Sequence, residues 1–103
     1  MVKTFEVNGK TYDAVTMDFN AIADLEEMGV DLMSGNLPMF KTLRGYFALC
    51  AGISVREAGE KLNAHVVAGG HLDGLLEAFK YECENSGFIN PEKRTPAIKP
   101  VEN

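Results

Sequence analysis

The cysteines and histidines of this 103-residue chain, side chains that can ligate zinc or move a proton near neutrality, are Cys50, His65, His71 and Cys83. Their spacing is C-x14-H-x5-H-x11-C. A structural zinc site draws its ligands from close sequence pairs, so that short loops can close a tetrahedron. No such pair of cysteines exists here. Both cysteines sit in apolar, helix-periodic surroundings, which predicts reduced thiols facing a core. The histidines flank "VVAGG", and nothing near them in sequence could orient a ring as a base, so they read as ordinary linker histidines. The chain has no Gly-rich phosphate loop, no G-x-S-x-G and no H-E-x-x-H. These observations predict no catalytic residues, no cofactor and no metal.

A second chemistry is suggested by "GISVREAGEKLNAH", residues 52–65. A capped helix, a small residue midway and a leucine resemble the start of a helix-turn-helix, which makes a small DNA-binding regulator the alternative to weigh. Such a motif needs a following helix that offers cations and amides to base edges. The next predicted helix carries Lys80 alone against Asp73, Glu77, Glu82 and Glu84. That face repels phosphate, and the connection "AHVVAGG" is long for a three- to four-residue turn. The expectation is that the chain does not bind nucleic acid.

The whole-chain balance agrees. Net charge is -5, and the cations Lys3, Lys10, Lys41, Arg44, Arg56, Lys61 and Lys80 are scattered, not clustered. Duplex binding draws most of its affinity from clustered cations on phosphates. An apolar content of 46% and a charged content of 24% suit one small folded domain. No run approaches the ~20 apolar residues of a membrane span. "MVKTFEVNGK" lacks the apolar core of a signal peptide. The prediction is a chain that stays in the cytosol where it is made, without membrane contact.

"KTFEVNGKTYDAV" predicts a β-hairpin, roughly 3–7 with 10–16. Phe5 and Val7 alternate with Thr4 and Glu6, and Asn8-Gly9 suits a type I′ turn. Asp18 caps a first helix with Phe19, Ile22, Ala23 and Leu25 on its apolar face, and Gly29 ends it. "VDLMSGN" reads as a short turn. A second helix has Pro38 in its first turn, Phe40, Leu43, Phe47 and Cys50 as its stripe, and Gly52 at its end. Ser54 and Glu57 form a capping box for a third helix with Val55, Ala58, Leu62 and Val66 inward. Gly69-Gly70 breaks the chain before a fourth helix, about 72–86, with Leu72, Leu75, Leu76, Phe79 and Cys83 as its stripe. Three prolines in "FINPEKRTPAIKPVEN" predict a flexible tail. The expected fold is α+β and mostly helical: a single domain over 1–89, with an N-terminal hairpin packed on about four helices, and a Pro-rich tail over 90–103.

The ordered set "KTFEVNGKTYDAV", "MDFNAIADLEEMGVDL", "LRGYFALCAGISVREAGEKL", a Gly-Gly break and a helix closing on "ENSGF" resembles the small tail assembly chaperones of long-tailed bacteriophages and related gene-transfer particles. The resemblance runs from about residue 2 to residue 90 and is carried by the order of the pieces. It implies a non-enzymatic protein that binds the tape-measure protein, keeps it soluble and assists tail-tube polymerisation. The tail-tube protein would be met through a frameshifted extension. The resemblance also implies action in the host cytoplasm and absence from the finished virion. A helical client needs an apolar surface. Met28, Met33, Leu37, Met39 and Phe40 are the candidates, because methionine adapts to varied partners. The same residues would equally fill a core between the first two helices. Phe88 and Ile89 form a second candidate patch.

Overall fold

The structure is a computed structural model that describes residues 3–87, 89, 90 and 92. It opens with an antiparallel hairpin, β1 (Thr4–Val7) and β2 (Lys10–Asp13), in which Phe5 stands opposite Tyr12. Asn8 and Gly9 have φ of 53° and 83°, the two left-handed positions that a type I′ turn requires. Phe5 and Val7 are buried while Thr4 and Glu6 face outward. The Phe5 ring stacks on Tyr12 at 5.8 Å, and the edge of Phe47 meets both rings. The hairpin thus lies on the helices, as its marginal stability alone demands.

Four helices follow: α1 (Phe19–Glu27), α2 (Met39–Ala51), α3 (Val55–Val67) and α4 (Asp73–Glu84). An Asp18 carboxylate oxygen accepts from the Ala21 N–H at 2.9 Å and starts α1. The helix ends in a Schellman motif: Val30 N–H donates to Leu25 C=O, and Gly29 N–H donates to Glu26 C=O. The flanking Leu25 and Val30 side chains are both fully buried. The Ser54 hydroxyl accepts from the Glu57 N–H at 3.1 Å and starts α3. The core joins the hairpin's inner face to Met17, Leu25, Leu43, Tyr46, Phe47, Ala58, Leu75 and Phe79. Among the described residues no helix is long and apolar enough to cross a membrane.

Four expectations change. The second strand stops at Asp13, with Ala14 N–H still donating to Lys3 C=O at 2.8 Å; beyond it Tyr46 OH donates to Val15 C=O at 2.7 Å, and Ser86 Oγ donates to Met17 C=O at 2.8 Å. The inward stripe at α1 is Met17, Ala21 and Leu25, spaced by four, which turns Phe19 outward to 68% exposure. Pro38 precedes α2 as its N-cap and is not in its first turn. "AHVV" is helical, so α3 reaches Val67 and the link to α4 shortens to residues 68–72. The expected tail, 90–103, lies outside the described residues except for Asn90 and Glu92.

Candidate functional site

The residues that suggested acid–base or metal chemistry are used otherwise. Asn8 N–H donates to His65 Nδ1 at 2.8 Å, and His65 Nε2 lies 2.8 Å from the His71 carbonyl. The first bond needs a bare Nδ1, so Nε2 carries the proton and donates. The His65 ring therefore clasps the hairpin turn to the α3–α4 link, a role that a linker histidine would not have. Asn8 lies 57 residues away along the chain, so nothing local in the sequence announces the contact. Cys50 and Cys83 are free, half-buried thiols on α2 and α4. Burial pushes the Cys83 thiol up to about 11 and raises Cys50 in the same direction. Such thiols stay protonated and unreactive near neutrality. Among the described residues no group of three or more His, Cys, Asp or Glu side chains could hold a metal ion.

The exposed apolar residues tell a different story. The segment between α1 and α2 folds as a turn in which an Asp31 carboxylate oxygen accepts from Met33 N–H at 3.0 Å, which leaves Met33 62% exposed. Pro38, extended at ψ 119°, then launches α2 outward. Leu37, Met39 and Phe40 are 37%, 55% and 79% exposed. Phe40 keeps the angle its helical period predicts, but its turn of α2 stands over an open cleft. Met28 and Ile89 take another course, half-buried against the core. Phe88, the other member of the second candidate patch, lies outside the described residues.

The first turns of α2 form a ridge with a cleft on each flank. Toward α3 and the start of α4, a cleft of about 310 Å³ is walled by Phe40, Leu43, Arg44, Leu62, Val66 and Leu72. Toward α4, one of about 170 Å³ is walled by Leu37, Met39, Thr42, Leu76, Phe79 and Lys80, with Leu43 common to both. Val66, 48% exposed, belongs to this surface, although its period predicted an inward position. The adjoining Val67 is 77% exposed. Val67 was hidden because it read as part of the connection, and Val66 because its period pointed inward; the uninterrupted apolar pair near the end of the helix was the signal that could have found them.

The outward face of α4 carries Asp73, Glu77 and Glu84 beside Lys80, while Leu75, Ala78 and Phe79 are spent on the core. The five-residue α3–α4 link weakens the length objection to a helix-turn-helix without removing it, and the charge objection stands. The chain matches no family model, no curated protein and no solved structure.

Proposed function

We propose that this domain is a tail assembly chaperone of a long-tailed bacteriophage or related particle. It acts by holding an amphipathic helix of the tape-measure protein against the ridge of α2. The observation that supports this best is the run of exposed Met33, Leu37, Met39 and Phe40 beside two apolar-walled clefts. Contiguous exposed apolar surface on a small domain marks a place where another molecule sits. Methionine and phenylalanine side chains repack against varied helical stripes, which suits a client of long and changing sequence. Binding alone is required, so no catalytic group enters. The tail-tube protein is met through a frameshifted extension, and the chaperone works in the host cytoplasm and leaves before the virion is finished.

The test is co-expression with the tape-measure protein. A Met39→Asp/Phe40→Asp variant changes two exposed side chains, each costing the fold only ~0.5 kcal/mol. It is expected to keep its circular dichroism spectrum, lose co-purification and leave the client insoluble. A folded double variant that still solubilises the client would overturn the reading.

A further inference from the structure

Among the described residues, two buried side-chain polar atoms lack a hydrogen-bond partner: Thr42 Oγ1 and Arg44 Nε. Native structures leave few such atoms, and each calls for an explanation. Both belong to the ridge of α2, Thr42 on the wall toward α4 and Arg44 on the wall toward α3. Arg44 is the more telling. It also lines a neighbouring cleft of about 520 Å³ with Arg56, Glu60 and Asn63. Glu60 is the one acid there, and it stands 4.0 Å from Arg56, both strongly exposed. Arg44 makes no ion pair with it.

The position of Arg44 is prepared from the opposite helix. A Cβ on Gly59, in the middle of α3, would come within 3.3 Å of Arg44 Cδ. Glycine in a helix interior is unfavourable relative to alanine. Here it gives the arginine stem room to lie against α3 in the wall of the apolar cleft. A guanidinium presents a planar fork that matches a carboxylate, and its stem can lie along apolar wall. On a chain of net charge -5, the wall of this cleft carries one cation, Arg44, and no acid; Lys80 belongs to the separate cleft toward α4.

We infer that the α2–α3 cleft takes an amphipathic helix bearing a carboxylate beside its apolar stripe, and that Arg44 is the residue that receives this carboxylate. This rests on the reading above, that the flanks of α2 hold a client helix. It adds what that helix must carry: an Asp or Glu next to apolar residues spaced by three and four. The apolar wall supplies area, and Arg44 sets the register along the stripe.

The experiment uses the full chain and three labelled synthetic peptides of about 20 residues, long enough to hold a helix. They share one leucine stripe, and the flanking positions are Glu, Gln or Lys. Binding is read by fluorescence anisotropy. The Glu peptide is expected to bind at least about tenfold tighter than the Gln peptide, and the Lys peptide weakest. Arg44→Gln should abolish the Glu-over-Gln preference, leaving the two peptides equal in affinity. Arg44→Lys should keep part of it. Gly59→Ala should leave the melting temperature equal or higher and keep the Glu preference, because the arginine stem has to give by only a few tenths of an ångström. Equal binding of Glu and Gln peptides, or a preference that survives Arg44→Gln, would overturn the inference. So would a wild-type dimer that Arg44→Gln splits and no peptide competes with, since the occupant is then a second copy. These peptides do not depend on the tape-measure protein. A Glu preference combined with failure to solubilise that protein refutes the proposed function alone; solubilisation without a Glu preference refutes the inference alone.

Discussion

The clasp made by His65 can be broken in two ways that predict each other. His65→Ala removes bonds of 2.8 Å to Asn8 N–H and to the His71 carbonyl. Each is worth ~0.5–1.5 kcal/mol net, with exposure holding the values toward the low end. The loss is therefore about 1–2 kcal/mol, and each kcal/mol lowers the melting temperature of a domain this size by roughly 4–8 °C. Gly70→Ala reaches the same outcome sterically: a Cβ there would stand 2.5 Å from Nε2 and 2.7 Å from Nδ1 of the ring. The ring must leave, and both bonds go with it. Gly70 is not among the glycines with positive φ, so alanine fits its backbone and restricts the unfolded chain, a gain of ~0.4–1 kcal/mol. In a His65→Ala background the clash is gone and only that gain remains. The double variant should thus be more stable than His65→Ala alone, with a coupling of about 1–2 kcal/mol. Urea unfolding followed by circular dichroism on the four proteins of the cycle measures it. Additive effects, or a double variant less stable than His65→Ala, would refute the clasp.

Two further outcomes follow from the same geometry. Folding favours the neutral Cys83 thiol, whose pKa is pushed up to about 11 by burial, and burial raises Cys50 and Tyr46 the same way. The Cys83 contribution is complete below the unfolded thiol value of ~8.5 and is lost as pH rises from there through about 11; the denaturant midpoint should fall over that window, and less steeply in Cys83→Ala. The outward face of α4, with Asp73, Glu77 and Glu84, should keep the chain from shifting duplex DNA in a gel even at about 50 mM salt, where electrostatic attraction is strongest; sub-micromolar, sequence-preferring binding there would revive the regulator.

The elements that read correctly from sequence are those whose signals are local. Asn8-Gly9 needs two positive φ angles and has them. Asp18, Gly29, Ser54 and Gly52 each act within four residues of where they stand. Longer-range decisions were less legible. Val15 and Tyr12 have similar strand propensity, yet the strand ends between them, and the Val15 and Met17 carbonyls are taken by Tyr46 and Ser86, far along the chain. Tyr46 itself, fully buried with its phenol bonded to Val15, is a polar side chain whose partner no periodicity announces. Phe19 was misplaced because Met17, in the connection before α1, supplies the inward position that the helical wheel assigned to a residue inside the helix.

The exposed apolar surface of α2 marks the same boundary from the other side. A helical period gives the angle at which a side chain leaves its helix; it does not say whether the chain itself brings anything to meet it. Phe40 and Leu43 share a stripe, and one is 79% exposed while the other is buried. The difference is that α3 and α4 cover the second turn of α2 and leave the first beside open clefts. A similar division runs through the charge. The net charge of -5 is a property of the whole surface, whereas the cleft mouths carry Arg44 and Lys80. In the proposed role both scales are used. Local apolar and cationic groups take up a client's stripe and its flanking acid, while Glu26, Glu27, Asp73, Glu77 and Glu84 remain exposed. Each bound copy then replaces apolar client surface with acidic, well-hydrated surface, and like-charged complexes resist association. Solubilisation follows from binding alone, which is why a chaperone of this kind needs no reactive group.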